Sequence, residues 1–448
     1  DRIFLSTTTC LQKCPFLNQL GVNPVFNLLT STLDDNRKEN RTLHLMSEED
    51  ALSKVQKYLH RQGIDRLSPI ARKVEREGTP NRRNVVLVFM ESMSANLMGT
   101  FGSDKKLTPY LDSLYQQSLS FSHFYSSGIH TNHGIYSTLY SFPAIMKRNA
   151  MKGSVIPVYS GLPTVLQENG YCNLFFMTHE SQYDNMNAFL RTNGFDEIYA
   201  QENYPSEKVV NSFGVQDDFM YQYALPILNE RAGTGNPFFS VLLSISNHPP
   251  YVIPPYFHPH SDVLEEQIVE YADWSIRQFM QAAEKQPWFD NTIFVFLGDH
   301  GKMVGTPECE MPQSYNHIPL MIYGKDIKPG VYDGFGGQVD VSPTLLGLLN
   351  ISYLQNNFGV NLLEEERPCM FFTADNLIGA RDSVNMFIYS PDSQQEFKYK
   401  LEEGKLHAAT GTDEEAFRNL KDYCFSMLQS TESLVKEHKT LDKVSVKK

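Results

Sequence analysis

The stretch "NVVLVFMES", Asn84–Ser92, decides how the chain is to be read. Its apolar residues follow one another without the alternation of a strand that has one face in water. Such a run fits a strand buried on both faces, as in a parallel sheet covered by helices. It ends directly in a carboxylate, Glu91. Similar runs recur at "NLFFM" (Asn173–Met177), "PFFSVLLSI" (Pro237–Ile245), "TIFVFLG" (Thr292–Gly298) and "IPLMIYG" (Ile318–Gly324). Helical patterns intervene at 108–119, 162–169, 184–192, 215–229, 266–285 and 340–349. Strands alternating with helices predict an α/β fold, a doubly wound and mostly parallel sheet sandwiched by helices.

Ligands of such sheets bind beyond the carboxyl ends of the strands. Four of the five runs are followed there by metal-capable or titratable residues: Glu91, His179, His248 in "SNHPP", and the pair Asp299 and His300 in "GDHGK". Two carboxylates and an imidazole on one rim suit a divalent cation, Mn²⁺, Mg²⁺ or Zn²⁺, and leave a position open for a hydroxyl. Thr131, in "HTNHG", offers one. At the start of a helix "TNHGIYSTLY" it reads as an ordinary N-cap. It also offers a hydroxyl at a positive helix end, where a phosphate is favoured and a cation lowers its pKa, though from the residue alone the N-cap reading is favoured.

Composition bounds the answer. A chain of 448 residues, 41% hydrophobic, predicts one large domain with appendages. The net charge of −13 and the lack of a basic stripe exclude a nucleic-acid footprint. Six cysteines without a CxxC pair or Cys/His spacing exclude a cysteine-built metal site, and most read as free, buried thiols. No run of 18 apolar residues and no signal peptide is present. The chain begins at Asp1 rather than at a methionine, so further sequence before it is expected. Residues 1–80 read as a helical linker, with "SEEDALSKVQKYLHRQ" (Ser47–Gln62) opening on the capping-box pair Ser47 and Asp50. Residues 81–350 form the sheet domain. Residues 351–448 read as a smaller α+β subdomain, with strand-like "CMFFTA", "NMFIYS" and "FKYKLE" and a final helix near 413–437.

The pieces "VVLVFMES", "LTPYLDSLYQQSLSFSHFYSSG", "YCNLFFMTHE", "FFSVLLSISNHPPY", "TIFVFLGDHG" and "GQVDVSPTLLGLLNI" stand in a specific order. That order resembles lipoteichoic acid synthases and related phosphoglycerol transferases, the sulfatase-like branch of the alkaline phosphatase superfamily, over about residues 82–375. The resemblance implies that Glu91, Thr131, Asp299 and His300 bind one catalytic metal, usually manganese. It implies that Thr131 is a nucleophile taking a glycerol phosphate head group from a phospholipid, through a phospho-threonine, to a glycan or glycerol acceptor. His179 and His248 match the family's substrate-binding histidines. It further implies the extracytoplasmic domain, periplasmic or cell-surface, of a multi-pass membrane protein, because "NPVFNLLTSTL" resembles the segment after the last membrane helix of these enzymes. A Cys10–Cys14 disulfide is then plausible.

The chain also departs from those relatives. Where they carry a Trp and an Arg after the first substrate histidine, it reads "YDNMNAFL", which makes Asn187 a candidate substrate contact. "HTNHG" replaces their Thr-Ser-Asp, so His130 and His133 join His317, in "YNHIPLMIY", as candidates for a second metal or for substrate. Arg191, Lys302 and Tyr315 are weighed as phosphate contacts against plain surface solvation, which is favoured. The C/S-x-P/A-x-R motif of sulfatases is absent near Thr131, which excludes formylglycine chemistry. A phosphoethanolamine transferase or a phosphodiesterase remains the alternative within the enzyme class. Outside it stands a non-catalytic module for anionic glycans or lipid head groups.

Overall fold

The first strand, β1 (Asn84–Met90), lies near the middle of an eight-stranded sheet. A computed structural model describes residues 43–60, 68–153, 156–402, 404–409 and 414–441; Cys10, Cys14 and most of the expected N-terminal linker lie outside them. Every residue of β1 is buried. Val85, Leu87 and Phe89 enter one apolar layer, and Val86, Val88 and Met90 the other. Two-sided burial is what the unbroken apolar run required.

The remaining strands of this sheet are β2 (Leu119–Tyr125), β3 (Cys172–Met177), β4 (Glu197–Tyr199), β5 (Phe238–Leu243), β6 (Thr292–Gly298), β7 (Leu320–Tyr323) and β8 (Gly330–Gly337). Their spatial order is β8-β2-β7-β6-β1-β5-β3-β4. The strands flanking β1, β5 and β6, pair with it in parallel. The run Ile318–Gly324, read as one more strand of the same kind, runs the other way: β7 is antiparallel to both β6 and β2. A continuous apolar run reports burial on two faces but carries no direction. The reversal brings the start of β7, and hence His317, to the edge where the other strands end.

Three helices cover one face: α2 (Pro109–Gln116), α6 (Asp217–Ala232) and α7 (Leu264–Ala283). The other face is covered by α3 (Thr131–Tyr140), α4 (Leu162–Glu168), α5 (Met186–Thr192) and α8 (Val341–Leu348). The C-terminal subdomain is an antiparallel meander of β9 (Met370–Thr373), β10 (Ile378–Arg381), β11 (Asn385–Ser390), β12 (Gln395–Glu402) and β13 (Lys405–Ala408). Helix α9 (Glu414–Lys436) backs it. Arg367 ties this part to the sheet domain through a buried ion pair with Asp340, Nη2 to Oδ1 at 2.6 Å.

Helix α1 (Glu48–Tyr58) starts as its sequence pattern requires, with the Asp50 N–H donating to Ser47 Oγ at 3.1 Å. It lies against α9, where Lys54 pairs with Asp422 at 2.8 Å. The Leu43 N–H donates to Glu432 Oε2 at 3.0 Å just before it. Among the described residues no helix is long and apolar enough to cross a membrane. Cys172, Cys309, Cys369 and Cys424 are free, the last two buried.

Candidate active site

Glu91, Asp299 and His300 converge where β1 and β6 end side by side. The backbone at this point is pinned from several sides. The Glu91 N–H donates to Ser244 Oγ at 3.0 Å, and Asn247 Nδ2 donates to the carbonyls of Glu91 and Ser92 at 3.0 and 3.2 Å. Ser92 takes a left-handed conformation, φ 51°, which turns the chain so that its N–H reaches Asp299 Oδ1 at 2.8 Å. The His300 N–H meets the same oxygen at 2.7 Å. Asp299 Oδ2 is buried and has no hydrogen-bond partner.

His300 supplies the complement. Its Nδ1 lies 2.8 Å from the Gly301 carbonyl, which only accepts, so Nδ1 carries the proton and Nε2 presents a lone pair. That Nε2 is 3.7 Å from Glu91 Oε1 and 3.6 Å from Asp299 Oδ2. The three ligand atoms lie within 4.8 Å of one another. Burial, and then the charge of Asp299, pushes the Glu91 carboxyl well above the usual range. Two desolvated carboxylates, an orphaned carboxylate oxygen and an imidazole lone pair form a donor set that fits a divalent cation.

Thr131 stands at the same place. It is the first residue of α3; the N-cap is His130, whose side chain makes no capping bond, so the N-cap reading of Thr131 is corrected by one position. Thr131 Oγ1 donates to Glu91 Oε2 at 3.4 Å. Gly134, one turn on, brings the helix against the Asp299 carbonyl so closely that a Cβ there would sit 2.2 Å from it. Gln338 joins the two loops, donating to the Asp299 carbonyl at 2.6 Å and accepting from the Ser127 N–H at 3.0 Å.

The flanking histidines separate. His130 Nε2 is 2.5 Å from Asp375 Oδ1, a half-exposed pairing with the C-terminal subdomain. His133 is buried edge-on to His130, ring centroids 5.0 Å apart. Burial, and then His130, pushes it down to about 3, so it is a neutral ring. His317 does not join the cluster. Its Nε2 donates to the Ser122 carbonyl at 2.9 Å and its ring stacks on Tyr125, an arrangement of packing.

His179 and His248 lie on the adjacent strand ends. Each turns Nδ1 to a backbone carbonyl, Glu180 at 3.0 Å and Pro249 at 2.6 Å, which leaves each Nε2 free of that bond. Burial lowers the His179 pKa. Tyr183 lies against His179 and Phe213 against His248, at 4.7 and 4.3 Å. Asn187 Oδ1 accepts from Arg191 Nε at 3.0 Å and its Nδ2 donates to Ser181 Oγ at 3.5 Å, with Arg191 exposed beside it. Tyr315 holds the Gly301 N–H through its carbonyl at 2.8 Å. Lys302 is not a solvated surface residue. Half-buried, it donates from Nζ to Asn247 Oδ1 at 2.6 Å, lies over the Tyr251 ring, and is pushed down to about 8 by burial. Sequence reasoning missed Asn247, Ser92, Gln338, Phe213 and Asp375. Ser92, beside Glu91 in "NVVLVFMES", and Asn247, beside His248 in "SNHPP", stood next to quoted rim residues.

The fold is that of the alkaline phosphatase superfamily. A member of that superfamily from Vibrio parahaemolyticus is 25% identical with a TM-score of 0.81, covering 91% of this chain and all of its own. The lipoteichoic acid synthase LtaP from Listeria monocytogenes, 22% identical, superposes with a TM-score of 0.70 over 86% of this chain and 98% of its own. Within that superfamily the chain belongs to the sulfatase family, whose pattern matches residues 83–351. Lipoteichoic acid synthase-like YvgJ from Bacillus subtilis (strain 168) is 25% identical over 362 residues, 73% of this chain and 56% of that protein. A lipoteichoic acid synthase from Staphylococcus aureus (strain USA300) is 24% identical, covering 79% of this chain and 58% of its own. The chain thus spans little more than half the length of these relatives.

Proposed function

We propose that the chain transfers a phosphoglycerol-type head group from a phospholipid to a hydroxyl of a glycan or glycerol acceptor, through a phospho-threonine on Thr131. The observation that carries this reading is the Thr131 hydroxyl at a helix start, 3.4 Å from Glu91 and beside Asp299 and His300. A divalent cation, manganese for choice, held by Glu91, Asp299, His300 and the Thr131 oxygen, would lower the pKa of that hydroxyl and neutralise phosphoryl charge.

The chain's own residues perform the rest. Thr131 Oγ1 releases its proton to water and attacks phosphorus, while the bond from phosphorus to the diacylglycerol oxygen of the phospholipid breaks. The first N–H groups of α3 point out of the helix end and meet the phosphoryl oxygens. His248, nearer solvent, protonates the departing alkoxide, and His179, kept neutral by burial, positions the head group from Nε2. An acceptor hydroxyl then passes its proton to His248 and attacks the phospho-threonine, the P–Oγ bond breaks, and Thr131 regains its proton from water. The domain acts outside the cytoplasm, at a membrane that supplies the phospholipid.

The test is Thr131→Ala with a phosphatidylglycerol analogue and Mn²⁺. Turnover should be lost while the thermal unfolding midpoint stays within a few degrees of wild type; full turnover in this variant would refute the nucleophile.

A further inference from the structure

Beside the catalytic rim lies a second hollow of about 830 Å³, lined from residues 105–113, from 257–261 and from helix α7. Helices α2 and α7 run back from the carboxyl edge of the sheet, and the first turns of α7, with Glu266 and Glu270, stand in the lining. Lys302 stands between the two. It is bonded to Asn247 behind Glu91, lies over Tyr251, and feels the charge of Glu265, the neighbour of wall residue Glu266.

The wall is built for a particular chemistry. Trp274 packs at 5.5 Å from Phe257 and at 5.9 Å, stacked, from Tyr271, with Tyr110 also in the lining. The chain's other tryptophan, Trp288, is buried and donates its indole N–H to Asn229 at 2.6 Å. Trp274 Nε1 and the Tyr110 hydroxyl make no hydrogen bond among the described residues. Around these rings stand three cations, Lys105, Lys106 and Arg277, and three carboxylates, Glu266, Glu270 and Asp273. The carboxylates are already fixed. Glu266 pairs with Lys105 at 2.6 Å, Glu270 accepts the His260 and Ser261 N–H groups, and Asp273 accepts those of Tyr110 and Leu111.

Charged groups of both signs exclude a hydrocarbon chain, which would strip them of water without pairing them. Cationic and carboxylic groups stand in equal number, so the wall offers an anion no net attraction. What remains is a neutral ligand with apolar ring faces for the aromatics and hydroxyls for both donors and acceptors. We propose that this hollow binds neutral sugar residues and so holds a glycan acceptor beside the catalytic rim; the acceptor role rests on the transferase reading, the sugar site does not.

Calorimetric titration of the Mn²⁺-loaded protein with maltotriose, cellotriose and gentiobiose tests this, with sodium decanoate and glycerol phosphate as competitors. At least one oligosaccharide should bind saturably, with a Kd unchanged within about twofold in Thr131→Ala. Trp274→Ala should weaken it at least tenfold, and Arg277→Met, an exposed change that spares folding, at least threefold. No binding of any of the three sugars, or their displacement by decanoate, overturns the proposal. Phosphatidylglycerol turnover without sugar binding sinks the sugar site alone. Sugar binding without such turnover sinks the transferase reading and leaves the site standing.

Discussion

Replacing Gly134 by alanine tests whether the catalytic rim depends on the close approach of α3 to the Asp299 loop. The added Cβ would lie 2.2 Å from the Asp299 carbonyl oxygen and 2.9 Å from its carbon. A tolerable C···O contact is about 3.3 Å, so helix and loop must part by about 1 Å. Neither side yields at little cost: α3 is buried from Asn132 to Tyr140, and Asp299 is fixed by Ser92, His300 and Gln338. The movement therefore falls between Thr131 on one element and Asp299 on the other. Misplacement by about 1 Å costs roughly 100-fold in rate, and overpacking costs about 1–3 kcal/mol of stability. The expected result is a fall in kcat of about two orders of magnitude with a modestly lowered Tm and an unchanged far-UV spectrum. Gly330→Ala, with nothing within 4 Å of its added Cβ, serves as the control and should leave both unchanged. Turnover of Gly134→Ala within about threefold of wild type would show that the rim does not rely on this contact.

Three further outcomes are expected. Chelation should abolish turnover and lower the unfolding midpoint, and Mn²⁺ at about 100 times its Kd should return about 2.7 kcal/mol of stability; a midpoint indifferent to metal would sink the cation site. Asn247→Ala removes the bonds to the Glu91 and Ser92 carbonyls and strands the Lys302 ammonium, so the Mn²⁺ concentration for half-maximal activity should rise about 10–100-fold, read from metal titrations of turnover. Asp273 is pushed up to about 7 by burial, above the roughly 3.9 of an unfolded chain. Between about pH 4 and 7 the folded state thus holds a proton that the unfolded state has lost, and this group's contribution to stability falls as pH rises. Asp273→Asn should flatten that slope by up to about 1.4 kcal/mol per pH unit, measured by denaturant unfolding at several pH values.

The sheet was legible because two-sided burial leaves a mark in sequence: "NVVLVFM" and "TIFVFLG" cannot sit at a wet surface. The rim was legible for the same reason, since a charged residue at the end of such a run marks the strand's exit. β2 escaped notice because "LSFSHFY" is only partly buried and carries polar residues between its aromatics. β8 escaped because its glycines carry no apolar signal. The direction of β7 is a property of pairing, which no single run encodes. The residues that hold the rim together were hidden differently. Asn247, Gln338 and Ser92 act through backbone carbonyls and N–H groups contributed by segments far away in sequence, and their types are ordinary for loops.

The segment recognised as the family's ends at residue 351, yet the strap leading into Thr131 is fastened beyond it. Thr373 donates its N–H to the Ser127 carbonyl at 2.8 Å, and Asp375 grips His130, the residue before Thr131. The smallest working piece is therefore larger than the piece a family pattern identifies. A chain trimmed to the matched region would keep Glu91, Asp299 and His300 while freeing the strap that presents the threonine.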